Sequence, residues 1–246
     1  MYPKLYVLSS GIQTIKKQKL LSTADKTQDI DIPVPYFLVD LGNDKVLIDT
    51  GISFESKSNI AQVQNKTETP KEALSKLGID TNSITYIIQT HLHFDHAANT
   101  KQFPRAKVIV QLEELKAANF YDKNLEHGYV DEDIKNPNIN WQPIVGMKNL
   151  FDGNIFILPT PGHTPGHQSV VVKLNNYGPV IIAGDVAPLK ENIENNTAPG
   201  VASNSKDAYY SILSLKEFAS FLKAKIWYGH DPEFFSKIKL APQYYD

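Results

Sequence analysis

The stretch Thr90-His91-Leu92-His93-Phe94-Asp95-His96 decides how this sequence is interpreted. Alternate side chains of an extended segment share one face, so His91 and His93 can bind one metal ion together. A turn after them allows Asp95 and His96 to reach a second ion. Composition alone rarely produces this spacing in a chain with 7 histidines. Surface histidines are the alternative, and the rest of the chain argues against it.

The same pattern recurs along the chain, because other apolar runs that predict strands end directly at a histidine or an aspartate. Ligands collect at one end of the strands in sheets flanked by helices, so we expect these residues in one cleft. His163 lies in a turn rich in glycine and proline that can hold an imidazole rigidly. Asp185 can bridge two ions through its two oxygens, and His230 follows the last predicted strand. The predicted metal ligands are His91, His93, Asp95, His96, His163, Asp185 and His230.

Two further residues are expected to support these ligands. Asp49 ends another predicted strand and can accept the N–H of a ligand histidine, which would orient the ring. The alternative for Asp49 is a turn-forming role before Thr50 and Gly51. His167 is expected to be structural or to support a ligand, and His127 is expected to be a surface group.

The types of ligand atom limit which metal ions can bind. Imidazole and carboxylate ligands suit zinc, iron, manganese or cobalt, so we expect two divalent ions per chain, with zinc as the first choice. The chain has no cysteine, which excludes disulfides and thiolate ligands.

Composition gives the general class of protein. The 246 residues are 41% hydrophobic with a net charge of -2, which is ordinary for a soluble globular chain and indicates no affinity for nucleic acid or anionic membranes. No segment approaches the ~20 apolar residues of a membrane span or has the core of a signal peptide. We therefore expect a cytoplasmic protein, a monomer or homodimer, with a single domain over residues 1–246.

Local patterns predict the main elements. Lys4–Leu8 reads as a first strand and residues 11–34 as a long loop. A capping box predicts a helix that starts at Pro70. Residues 120–150 read as a long irregular segment that is either functional or a surface excursion. Residues 205–222 predict a helix.

From Asp49 to Asp231, these residues and their order resemble the metallo-β-lactamase superfamily, and within it most closely the N-acyl-homoserine lactonases. The shared stretches are residues 90–96, Pro161–Ser169 and Gly229–Asp231. The resemblance implies an α+β fold, the αββα sandwich, with two mixed β-sheets packed face to face and helices on both outer faces. The di-metal site would lie at one edge of the sheets.

The resemblance also implies a division of roles. His91, His93 and His163 would hold one metal, Asp95, His96 and His230 the other, and Asp185 would bridge them. The implied activity is opening of the lactone ring of N-acyl-homoserine lactones by a metal-bridging hydroxide, with Asp95 and Asp185 as catalytic residues. Asp95 would move the proton, and Phe94 would form a wall of the acyl pocket. The loop at 11–34 and the aromatics of 120–150 are further candidates for that pocket.

One position departs from the family pattern. Many of these lactonases have a tyrosine three residues after the bridging aspartate, and this chain has Pro188, which has no side-chain donor. Either another group replaces the tyrosine, or the substrate differs, or the metal alone polarises the carbonyl. The alternatives are a related hydrolase of another lactone or a thioester, similar to pyridoxolactonase or glyoxalase II, a di-iron oxidoreductase, and a non-catalytic binding protein.

Overall fold

The computed structural model describes residues 2–53, 65–66, 68–121 and 128–246. These residues form two mixed β-sheets that pack face to face, with helices on the outer face of each. The predicted αββα sandwich is therefore confirmed. His127 lies outside the described residues.

The first sheet has the spatial order β4-β1-β2-β3-β5-β6-β7 among the described residues. From β4 through β1 and β2 to β3 each strand is antiparallel to the next, whereas β3, β5, β6 and β7 run parallel to one another. The strand bounds are β1 (Lys4–Lys16), β2 (Asp29–Asp40), β3 (Lys45–Ile48), β4 (Asn65–Lys66), β5 (Tyr86–Ile88), β6 (Lys107–Gln111) and β7 (Asn140–Ile144).

The second sheet has the order β12-β11-β10-β9-β8, and only β11 and β12 run parallel. Its strands are β8 (Lys148–Leu150), β9 (Ile155–Pro159), β10 (Gln168–Val172), β11 (Val180–Ile182) and β12 (Lys225–Trp227). The helices are α1 (Pro70–Lys76), α2 (Phe94–Ala97), α3 (Leu112–Phe120), α4 (Asp131–Ile134), α5 (Lys190–Glu194), α6 (Ser205–Leu222) and α7 (Pro232–Phe235).

The core between the sheets comes from the alternation of side chains along each strand. Val39 and Ile48 of the first sheet pack with Val170 and Trp227 of the second, and all four are buried. Intervening residues point outward, because successive side chains of a strand face opposite sides of the sheet. Every central strand is therefore apolar on both faces, which explains its continuous hydrophobic runs.

Helices cover the two outward faces. Leu74 of α1 packs on Leu47 of the first sheet, and Ile212 of α6 packs on Val171 of the second. The predicted capping box at the start of α1 is present, with the Thr69 hydroxyl and the Glu72 carboxylate each accepting the other's backbone N–H. No helix in the described part of the chain is long and apolar enough to span a membrane.

The prediction of a loop over residues 11–34 was wrong. β1 continues to Lys16 and pairs with the start of β2, so half of this segment is a two-stranded ribbon. The register shifts between Ser9 and Ile12, which marks a bulge that interrupts the alternation of buried and exposed side chains. A sequence pattern with period two is lost at such a point, and the strand therefore went unrecognised.

The prediction of an irregular segment over residues 120–150 was also wrong in part. It contains α4, β7 and β8, while residues 122–127 lie outside the described part of the chain. β7 is an edge strand with Pro143 inside it, and most of its side chains are half-buried or exposed. An exposed edge strand needs no apolar run and tolerates proline, so its sequence gives no strand signal.

Candidate metal centre

The strand ends that the sequence marked with histidine and aspartate meet at one edge of the sandwich. β3 leads into Asp49, β5 into His91, β11 into Asp185 and β12 into His230. The turn between the antiparallel strands β9 and β10 reaches the same edge and contains His163. All of these side chains are buried.

One group consists of three histidine rings, two after β5 of the first sheet and one from the β9–β10 turn of the second. The ligand atoms of His91, His93 and His163 all lie within 4.8 Å of one another. His163 Nε2 is 3.0 Å from His93 Nδ1. Burial lowers the pKa of His91 and of His93 well below the ordinary value, so both rings are neutral near pH 7 and offer lone pairs.

A second group adjoins the first. The Nε2 atoms of His96 and His230 are 3.3 Å apart, and both lie close to Asp185 Oδ1, at 3.3 and 3.2 Å. Asp95 Oδ2 is 3.6 Å from His230 Nε2. The other Asp185 oxygen is 3.5 Å from His163 Nε2, so this carboxylate contacts both groups.

Three of the ligand rings have their second nitrogen bonded to a partner outside the two groups. His96 Nδ1 donates to Asp49 Oδ2 at 2.7 Å, and Asp49 also accepts the N–H and the hydroxyl of Thr90. The Nδ1 of His163 donates to the carbonyl of Val201, and that of His230 to the carbonyl of Pro33. Each bond selects the tautomer whose Nε2 lone pair points into the cluster.

The donor set fits metal ions. His91 Nε2 and Asp185 Oδ1 are buried and have no hydrogen-bond partner among the described residues. Two nitrogens on a tetrahedral zinc lie about 3.3 Å apart, given bond lengths of roughly 2.0–2.1 Å. The facing nitrogens at 3.0 and 3.3 Å match this separation. Without a cation or proton between them, such lone pairs repel each other, so a cation satisfies all of these atoms at once.

His167 supports Asp185 rather than joining either group. Its Nε2 accepts the backbone N–H of Asp185 at 2.9 Å, and its Nδ1 faces the hydroxyl and the carbonyl of Thr160. Burial lowers the pKa of His167 to about 3, so the ring is neutral and keeps this acceptor.

Phe94 and Asp95 form the open side of the centre. They are half-buried, whereas their neighbours from His91 to His93 and from His96 to Thr100 are buried. The Phe94 ring packs against Val34 and Ile52, which gives this opening an apolar wall.

Pro188 has a backbone role at the site. Its carbonyl accepts the N–H of His230 at 2.8 Å, which links the segment after Asp185 to the end of β12. Asp231 strengthens the same link, because its carboxylate accepts the N–H of Lys190.

Two residues near the centre were missed by the sequence prediction. Gly128 lies against the His93 ring, and a Cβ at this position would be 2.4 Å from two ring carbons. Glu114 is fully buried and accepts the N–H of Leu92, between the first two histidines. Neither stands at a strand end beside a ligand, and a glutamate in the first turn of a helix is usually exposed, so no local signal marked them.

Comparison with known proteins identifies the class of this chain. The family model of the metallo-beta-lactamase superfamily matches residues 30–230. The chain therefore belongs to the metallo-β-lactamase superfamily, as its motifs predicted.

Individual relatives show which members of the superfamily this chain is similar to. The chain is 30% identical to the N-acyl homoserine lactonase AttM of Rhizobium radiobacter and 33% identical to an N-acyl homoserine lactonase of a Bacillus species, with 98% of each chain covered in both cases. A quorum-quenching N-acyl homoserine lactone lactonase has the same fold, with a TM-score of 0.88, 30% identity and coverage of 99% of this chain and 98% of that one. An N-acyl homoserine lactone hydrolase with N-hexanoyl-L-homoserine bound at its catalytic metal centre also has a TM-score of 0.88, at 28% identity and 99% coverage of both chains. The predicted likeness to this family is confirmed.

Proposed function

We propose that this chain opens the lactone ring of N-acyl homoserine lactones at a centre of two metal ions. One observation carries the proposal: Asp185 joins two buried groups of ligand atoms whose spacing fits metal ions. The full-length similarity to proteins named as lactonases gives the substrate class. We further propose that residues 1–246 act as one domain.

The two groups support one assignment of the ligands. One ion would be held by His91, His93 and His163, and the other by Asp95, His96 and His230, with Asp185 shared between them. Zinc is our first choice, because neutral imidazole nitrogens and carboxylates without a thiolate suit it, although the same donors accept iron, manganese or cobalt.

Two bound ions would supply a water ionised near neutral pH and a Lewis acid for the lactone carbonyl. The protein's own residues then have defined tasks. Asp49 keeps His96 in one tautomer, and His167 holds the backbone of Asp185 in place. The burial of the ligands excludes bulk water from one side of the reaction.

Asp95 is the proposed proton carrier. Its side chain is 13% exposed, against 1–8% for His96, His163, Asp185 and His230. It therefore faces the opening where a substrate would enter. Ring opening by water produces an acid and an alcohol, so the attacking water must give up a proton and the leaving ring oxygen must gain one. A carboxylate at this position can accept the first proton and pass it to the leaving oxygen.

Phe94 is proposed to contact the substrate. Together with Val34 and Ile52 it forms an apolar surface beside Asp95, which suits the acyl chain of the substrate. Pro188 offers no donor for the substrate carbonyl. We propose that polarisation by the metal replaces the missing tyrosine donor.

The first experiment is hydrolysis of short-chain and long-chain N-acyl homoserine lactones by the zinc-reconstituted protein, followed through proton release near neutral pH. The expected result is turnover that is lost in a His93→Ala variant, because this change removes a ligand of the first ion. A Phe94→Ala variant should raise KM more for the long-chain lactone than for the short-chain one.

A matched control is Glu113→Gln, which alters an exposed carboxylate on α3 that pairs only with Lys116 among the described residues. This variant should keep wild-type turnover. If protein with two bound metals hydrolyses neither lactone, the substrate assignment is wrong and other lactones and thioesters become the candidates.

A further inference from the structure

A buried carboxylate lies behind the first group of histidines. Glu114 is in the first turn of α3, directly after β6, and its side chain is fully buried. No cation pairs with it among the described residues, and burial raises the pKa of its carboxyl. Burial of a carboxylate costs free energy unless hydrogen bonds compensate for the lost water. The hydrogen-bond partners of Glu114 therefore indicate its role.

Glu114 receives three hydrogen bonds from three different segments. Oε1 accepts the N–H of Leu92 at 2.9 Å and the hydroxyl of Tyr129 at 3.2 Å. Oε2 accepts the N–H of Gly166 at 3.1 Å. Both oxygens are therefore used, and each is directed at a separate part of the site.

Each of the three donors lies near a histidine of the first group, either along the chain or in direct contact with its ring. Leu92 lies between His91 and His93, and Gly166 belongs to the turn that contains His163. The ring of Tyr129 packs against His93, with centroids 5.0 Å apart. The second group, with His96, Asp185 and His230, has its own partners and no bond to Glu114 among the described residues.

We propose that Glu114 is a positioning residue that sets the distance between the His91–His93 segment and the His163 turn, and so determines the metal affinity of this group alone. The inference rests on the ligands proposed above. It goes beyond them by naming a residue that contacts neither metal nor substrate.

The chemistry requires a carboxylate at this position. An amide of the same shape has one acceptor oxygen, and its NH₂ group would face a backbone N–H on one side. Glu114→Gln therefore loses either the bond to the N–H of Gly166 or the bond to the N–H of Leu92. The packing is tight here, since a Cβ on Gly166 would be 2.0 Å from the backbone nitrogen of Glu114.

Two variants of the protein allow the two groups of metal ligands to be studied separately. A His230→Ala background retains the first group, and a His163→Ala background retains the second. Metal-free protein is titrated with Co²⁺, and binding is followed by the visible spectrum, which reports the ligand geometry. Metal content is checked by mass spectrometry.

In the His230→Ala background, Glu114→Gln should weaken Co²⁺ binding by about 10- to 100-fold, the usual effect of losing an outer-shell partner. In the His163→Ala background, it should leave the affinity unchanged within about a factor of two, as expected for independent sites. Glu113→Gln is the matched control, because it removes the neighbouring exposed carboxylate of the same helix. It should change neither affinity.

Unchanged Co²⁺ affinity in the His230→Ala background overturns the proposal, and so does an equal loss in both backgrounds. If Glu114→Gln does not fold, Tyr129→Phe decides the question, since it removes one of the three donors and keeps the carboxylate. This variant should weaken only the first group, and a wild-type affinity there overturns the proposal. No substrate is present, so a failed lactone assay leaves the result valid, whereas a wild-type protein that binds no Co²⁺ overturns both proposals.

Discussion

The close packing of Gly128 on His93 gives a prediction whose size follows from the structure. In Gly128→Ala the new Cβ would lie 2.4 Å from the Cγ and Cδ2 of the His93 ring and 2.8 Å from its Nδ1. Carbon atoms in contact are about 3.5 Å apart, so the ring must move by about 1 Å. Metal–ligand distances tolerate only about 0.2 Å, and His93 Nδ1 would leave its position beside His163 Nε2.

A misplacement of about 1 Å can reduce catalysis by about 100-fold, which corresponds to about 2.7 kcal/mol in transition-state stabilisation. We expect kcat/KM for N-acyl homoserine lactones to fall by this factor, with weaker binding of one metal ion. The free energy of unfolding of the metal-free protein should change by less than about 1 kcal/mol, because alanine lowers the conformational entropy of the unfolded chain and this offsets part of the cost of moving the His93 ring. The assays are lactone hydrolysis, metal analysis and urea unfolding.

Gly178→Ala is the control, because it should reduce stability without reducing activity. Its Cβ meets nothing within 4 Å, but its φ of +86° strains any residue with a side chain. It should lose about 1–2 kcal/mol of stability and keep full activity. A Gly128→Ala protein with two tightly bound metals and wild-type turnover would show that the neighbouring backbone moves instead of His93, and would refute the reasoning.

The other predictions concern the support of the ligands and the metals themselves. Asp49→Asn leaves one acceptor oxygen where the carboxylate has two, so either His96 Nδ1 or the Thr90 N–H faces an NH₂ group, and metal affinity in a chelator-competition assay should fall by about 10- to 100-fold; an unchanged affinity contradicts the orienting role. Gly162→Ala places a Cβ 2.1 Å from the backbone nitrogen of Ala208 at a φ of +133°, so the turn with His163 should shift and activity and melting temperature should both fall. Removal of metal by a chelator should lower the melting temperature, because ions at 100 times their Kd contribute about 2.7 kcal/mol per site to the folded state; zinc should restore it, and an unchanged melting curve contradicts the two-metal centre.

The sequence by itself determined the class of this protein. Its evidence was local: four ligand-type residues within 90–96, a rigid turn around His163, and an aspartate or histidine at the ends of three further predicted strands. Such signals are readable because strand ends and tight turns depend on neighbouring residues. The capped helix α1 and the long helix α6 were predicted for the same reason.

Tertiary structure decided which atoms meet. The distance between His163 Nε2 and His93 Nδ1 depends on two sheets packing face to face, and no run of neighbouring residues encodes it. Glu114 and Gly128 matter only because chain folding brings distant segments against them. The ribbon of β1 and β2 and the edge strand β7 went unpredicted, because pairing and position in the sheet stabilise them rather than an apolar repeat. Local patterns report on hydrophobic burial and turn geometry, whereas the positions of buried hydrogen-bond partners are set by long-range packing.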